Sequence, residues 1–269
     1  MAVLPGQLCV VFAGTILGTA QSFAVLGAST VTNTGSSTIS GNVGVFAGSS
    51  VIGFPPGIVS DGSIHVTDAV AHQAQTDEGF AYQTLALLPF TIDMSGTDLG
   101  GQTLTPGVYR FSSAAALNGT LTLDFQSNPD AQFVFQVGTS LVTGSGATVD
   151  VINGTASDGI FWQVGSSATL GSSTTFAGSI LALSSVTMVT SAKIECGRAF
   201  AQTGAVTLDS NVISGDCTIN DFGSGRSDFG SAGFSASANI ALVTPEPGTF
   251  LLLGISLAGV VVKYLYRAR

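Results

Sequence analysis

The sequence predicts an all-β-dominated fold: a three-sided parallel β-solenoid with one long α-helix packed alongside, plus a C-terminal transmembrane helix. Three observations predict it. The 269 residues include 61 Ser and Thr and 35 Gly, and only 9% are charged, against about a quarter in an average soluble domain. A short repeat runs through the middle of the chain, and one segment breaks that repeat with helical spacing. Small hydroxyl residues, Val, Ile and Phe favour strands joined by tight turns. The positive mean hydropathy excludes a solvated disordered polymer, and the absence of a Gly-X-Y period excludes collagen. Seven Lys and Arg against 16 Asp and Glu, net −9, leave no surface to neutralise phosphates, so no nucleic acid partner is expected.

Residues 1–16 read as a partial export signal. Residues 8–17 are apolar and of h-region length, but no Lys or Arg precedes them, so the start reads as truncated or misassigned. Cys9 is taken as incidental. Cys196 and Cys217, 21 apart, read either as a disulfide of an exported protein or as two small buried apolar residues.

The repeat defines the middle of the chain, within residues 17–217. Phe135-Gln136-Val137-Gly138-Thr139-Ser140 returns as Trp162-Gln163-Val164-Gly165-Ser166-Ser167, 27 residues later. A shorter period follows: Leu170, Met188 and Val206 stand 18 apart, as do Phe176, Ile194 and Val212. Thr169 and Thr187 share a slot that Ala205 takes next. Such a period with alternation inside gives a coil of three short strands with small residues at its corners. Inward residues stack as apolar ladders, and hydrogen bonds run between coils about 4.8 Å apart. The extra nine residues of the longer interval are placed in a surface loop at residues 153–158.

Residues 64–88 break the strand pattern. Val66, Val70, Ala74, Ala81, Leu85 and Leu88 fall at helical spacing, and Pro89 stops the run. This helix is expected to lie along one side of the solenoid. Both histidines, His65 and His72, fall on it with Asp68 between them. They read as a solvated polar face rather than a metal site.

Residues 218–243 form a Gly/Ser-rich linker, and residues 244–269 follow a three-part pattern. Pro245-Glu246-Pro247 breaks any helix, residues 250–262 are apolar, and Lys263, Arg267 and Arg269 close the chain. Residues 249–266 are long enough to cross most of a bilayer core as a helix, with the basic tail cytoplasmic. This arrangement resembles the bacterial PEP-CTERM sorting signal. The resemblance implies export as a membrane-anchored precursor, then cleavage by an exosortase-type peptidase and release to the cell surface or outside.

From residue 17 to Cys217 the chain resembles the ice-binding-like family of microbial antifreeze proteins. The residues that carry the resemblance are the opening Leu17-Gly18-Thr19-Ala20-Gln21-Ser22-Phe23, the helix end Leu85-Ala86-Leu87-Leu88-Pro89, Leu104-Thr105-Pro106-Gly107-Val108-Tyr109, and Gly197-Arg198-Ala199-Phe200-Ala201-Gln202-Thr203-Gly204. The resemblance implies a discontinuous right-handed solenoid whose N-terminal coil is separated in sequence from the others by the helix.

No catalytic constellation emerges. Asp124, Asp130, Asp150 and Asp158 are scattered, the histidines sit together without a nucleophile motif, and four basic residues precede residue 249: Arg110, Lys193, Arg198 and Arg226. No enzyme activity, cofactor or metal is expected. Ice asks for the opposite composition: a stiff, uncharged face of hydroxyl and methyl groups. The resemblance implies one short Thr/Ser run per coil. Placed on the 18- and 27-residue registers, the runs are Thr34, Ser36 and Thr38; Ser145 and Thr148; Ser172, Thr174 and Thr175; and Thr190. Lys193 occupies the slot of Thr148 and Thr175, which argues against a perfect lattice match. The expected partner is an ice surface. The alternative is a non-catalytic surface or matrix protein that contacts extracellular polysaccharide.

Overall fold

The computed structural model describes residues 16–128, 131–154 and 158–215. Strands of two to six residues alternate inward and outward side chains, and corners of one to a few residues turn the chain from one sheet to the next. Three parallel sheets result, here called faces A, B and C, with nine, seven and eight strands. The 27-residue repeat is one full coil: Phe135 pairs with Trp162 and Gln136 with Gln163. The 18-residue repeat is the next, with Thr169 on Thr187 and Phe176 on Ile194. The nine extra residues of the longer coil lie between faces C and A, since Thr148 pairs with Thr175 while Phe161 pairs with Ser179.

The stack is discontinuous, as the resemblance implies. Phe23–Gly27 pairs with Ala199–Ala201 from the last coil. The N-terminal coils therefore extend the stack beyond its C-terminal end. Helix α1, Ala69–Leu87, then returns the chain along face A to the opposite end, where Ile92–Asp93 begins the remaining coils.

Inward residues form the core ladders. On face A, Tyr109, Phe135 and Trp162 stack and give way to Ile180, Ala199 and Val25. The Phe135 and Trp162 rings lie 3.8 Å apart at 9°. The buried indole N–H donates to the Ala177 carbonyl at 3.0 Å, so the largest side chain is buried without an unmet donor.

Two expectations need correction. The helix begins at Ala69, not residue 64. Ile64–Val66 is a strand paired with Val43, Gly44 and Val45. An alternating Ile-His-Val triplet fits either period, and the Asp68 cap decides the boundary: its carboxylate accepts from the Ala71 N–H at 2.8 Å. Val66 and Val70 are therefore exposed, and the buried stripe is Ala71, Ala74, Glu78, Ala81, Thr84 and Leu85. Mostly small residues let α1 approach face A closely, where the Gln136 amide donates to the Leu85 and Leu88 carbonyls at 2.8 Å each.

The second correction concerns the 18-residue period, which fails in the last coil. Ala177 pairs with Glu195, 18 later, but Ile180 pairs with Ala199, 19 later, and Val186 with Val206, 20 later. One residue is inserted at the corner before Ala199–Ala201 and one more at the corner after it. Val206 thus stacks on Val186, not on Met188, and Ile194 meets Ile213 rather than Val212.

Candidate functional site: a threonine ladder

Face A is covered by α1, which leaves faces B and C as broad outward surfaces. On face B the central outward row reads Ala116, Val142, Thr169, Thr187, Thr207, Thr32 and Ile52. Four threonines stand on consecutive strands, one per rung of about 4.8 Å. One pleat earlier runs Ser140, Ser167, Ser185, Ala205, Thr30 and Ser50, as the adjoining hydrogen bonds and the Thr30–Ser50 pair show. The Ser167 and Ser185 hydroxyls bond each other at 3.0 Å. Neither row holds a charged or titratable residue. β-Branching limits each threonine to few rotamers, and the solenoid fixes the spacing between them.

Face C is hydroxyl-bearing but charged. Its first outward row reads Thr120, Thr148, Thr175, Lys193, Val212, Thr38 and Ile58. The next pleat carries Thr122, Asp150, Ala177, Glu195, Ser214, Ser40 and Ser60. Lys193 does replace the threonine of its neighbours, because Thr175 pairs with Lys193.

The residues expected from spacing are divided between these surfaces. Thr38, Thr148 and Thr175 stand on face C, and Thr34 closes a face B strand beside Asp209. Ser36, Ser145, Ser172 and Thr190 lie at the corner between faces B and C. There Ser172 donates to Ser145 at 3.0 Å, and the Thr190 hydroxyl bonds Asp209. Thr174 is fully buried, bonded to the Thr143 hydroxyl at 2.8 Å and to the Gly144 carbonyl at 3.2 Å. These nine residues therefore do not form one surface. Thr32, Thr169, Thr187 and Thr207 were outside the expected set. The signal was present in the shared slot of Thr169 and Thr187, but a strict 18-residue step lands on Ala205 instead of Thr207.

The remaining expected groups are placed as follows. His65 stands on a strand, with Nδ1 2.8 Å from Asp68 Oδ2, while His72 on α1 packs on the Phe46 ring 4.4 Å away. Among the described residues no cluster of three or more metal-ligating side chains occurs, and no helix is long and apolar enough to cross a membrane. Cys196 is buried and disulfide-bonded; Cys217 lies outside the described residues. So do residues 1–15, the linker at 218–243, and the sorting segment with Pro245, Glu246, Pro247, Lys263, Arg267 and Arg269.

The sequence pattern of the family described as Ice-binding-like matches residues 25–214, and that of the PEP-CTERM protein-sorting motif matches residues 243–267. An ice-binding protein of Nostoc sp. (strain HG1) is 55% identical over 202 residues, which are 75% of this chain and 74% of that protein. An ice-binding protein of Flavobacterium frigoris (strain PS1) is 32% identical, over 74% of this chain and 75% of its own. The crystal structure of an ice-binding protein from an Antarctic biological consortium superposes with a TM-score of 0.71 at 41% identity, covering 79% of this chain and 96% of that one. That of the Antarctic ascomycete Antarctomyces psychrotrophicus gives 0.72 at 38% identity, covering 77% and 100%.

Proposed function

Because the chain belongs to the ice-binding-like family, we propose that it is an exported, non-catalytic protein that adsorbs to ice through face B. The observation that carries this reading is the unbroken ladder of Thr169, Thr187, Thr207 and Thr32, which with the row beside it is free of charge. Each threonine offers a hydroxyl to lattice water and a methyl to the space between. Held by a rigid backbone, the row loses little conformational entropy on adsorption, so many weak contacts add. A charged group would keep its own hydration shell and resist transfer to the ice surface. Lys193, Glu195 and Asp150 make face C the poorer surface on that ground.

The sorting motif supports the rest of the reading. Pro245-Glu246-Pro247 would be the recognition element for an exosortase-type peptidase. The apolar stretch would hold the precursor in the membrane with Lys263, Arg267 and Arg269 inside. Cleavage would then leave the solenoid at the cell surface or free of it. Mass spectrometry of the mature C-terminus checks this step. A chain that still ends at Arg269 contradicts it.

Ice recrystallisation and thermal hysteresis test the central claim. The protein is expected to arrest ice growth at micromolar concentration. If it has no effect on ice growth even at high micromolar concentration, the ice reading fails. Binding to extracellular polysaccharide, measured by co-sedimentation, then becomes the function to pursue.

A further inference from the structure

Helix α1 crosses face A with one carboxyl on its buried side. Glu78 is 0% exposed, and neither carboxyl oxygen has a hydrogen-bond partner. It lies one turn from Gln75, whose amide donates to the Ala201 and Gln202 carbonyls at 3.3 Å each. One turn the other way stands Tyr82, hydrogen-bonded to Gln163. The outward row of face A over this stretch is Leu26, Phe200, Leu181 and Gln163.

No counter-charge is supplied to it. The turn Gly18–Ser22 and the strands Phe23–Gly27, Asn42–Val45, Gln132–Val137, Gly159–Val164, Ser179–Ala182 and Ala199–Ala201 hold no titratable side chain. On Ile64–Val66, His65 is engaged with Asp68. Arg198, ahead of Ala199–Ala201, donates to the Gln21 carbonyl at 3.0 Å and to the Ser179 hydroxyl at 3.5 Å. On α1 itself, Asp77 accepts from Thr19 at 2.7 Å and His72 packs on Phe46.

We propose that Glu78 makes α1 a pH-sensitive strap, docked tightly on face A while its carboxyl is protonated and lifted more readily as the pH rises through neutrality. Burial pushes this carboxyl from 4.5 up to about 8. Lifting α1 returns it to water and to its ordinary value. Between those two values the docked strap holds a proton that the lifted strap releases. Docking therefore weakens as pH rises across that window, about tenfold in the opening equilibrium per unit, and is flat above and below it. Other shifted carboxyls act elsewhere on the scale. Hydrogen bonds hold Asp68, Asp93 and Asp124 below the usual carboxylate value, led by those from the Ala71 N–H, the Ser95 hydroxyl and the Asn153 amide. In Asp98 burial acts upward, but bonds from Asn118 and the Gly100 N–H outweigh it and the net shift is also downward. Stability from these four is lost only in acid, below the ordinary carboxylate range.

Amide hydrogen exchange on the full chain tests the strap. After correction for intrinsic rates, the α1 amides are expected to open about 100-fold more at about pH 7.5 than at about pH 5.5. The face B strand Val186–Met188 should not change. Glu78→Gln keeps the shape, removes the ionisation and should abolish the pH dependence, with Glu78→Met as a second neutral form if the amide fails to fold. Three results overturn the proposal: a pH-independent α1 in the parent, the same slope in both neutral variants, or α1 and Val186–Met188 opening together.

Discussion

Faces B and C are made by the same coils, with the same parallel pairing and much the same share of Ser and Thr, yet they present different chemistry. Face B carries four threonines in one row and no charge on its two central rows. Face C carries three threonines followed by Lys193, with Asp150 and Glu195 one pleat away. Composition cannot separate the two faces, because both are rich in hydroxyls. What separates them is register: which residue of each coil falls opposite which residue of the next. In a solenoid that is decided at the corners, where one inserted residue shifts every later rung. The conversion from sequence to surface is therefore most fragile where coils differ in length.

The largest perturbation acts on what both faces share. Trp162→Ala removes the last and largest ring of the aromatic ladder and leaves the Ala177 carbonyl without its donor. It should cost about 3–5 kcal/mol, read by denaturant unfolding. Ice activity should fall only as far as the folded population does. A stable variant with lost activity would mean that the core, not the face, sets binding.

A smaller effect should sharpen face B. Ala205 interrupts the second row between Ser185 and Thr30. Ala205→Thr would complete it and should raise thermal hysteresis about twofold, the scale of one added weak polar contact. An unchanged or lower value would show that the second row does not touch ice.

The smallest effect is expected on face C. Lys193→Thr restores an unbroken threonine row there, but Asp150 and Glu195 remain. Thermal hysteresis should stay within about a factor of two of the parent, as expected for a change away from the contact surface. A large gain would promote face C to a binding surface.

Much of the fold was legible because its cues are local and repeated. Phe135-Gln136-Val137 and Trp162-Gln163-Val164 mark a full coil, and the one after it keeps an 18-residue step because its corners match. The last coil was not legible in the same way. On face B the two inserted residues near Gly197 and Gly204 together leave inward and outward parity intact, so an 18-residue step still looks plausible there while naming the wrong partners. On face C the net step is 19, and the 18-residue step lands on the outward Val212 instead of the buried Ile213. That slip put Ala205 where Thr207 stands and hid the four-threonine ladder. The start of α1 was obscured because Ile64 and Val66 fit both a strand and a helix, and only the Asp68 cap discriminates. Glu78 gave no signal at all, since a glutamate in a helix is ordinarily solvated.

The comparison reduces to one paired measurement. Thr187→Tyr places a ring in the middle of the face B ladder, and Thr175→Tyr places the same ring on face C. Both positions are only partly buried, so both variants should fold. Thermal hysteresis of the parent and the two variants, measured at equal concentration, is expected to fall at least about tenfold for Thr187→Tyr, because a rigid interface that relies on summed weak contacts is lost when its centre is lifted off. Thr175→Tyr should retain the parent's activity. Full activity in Thr187→Tyr together with loss in Thr175→Tyr would contradict the account and move the ice contact to face C.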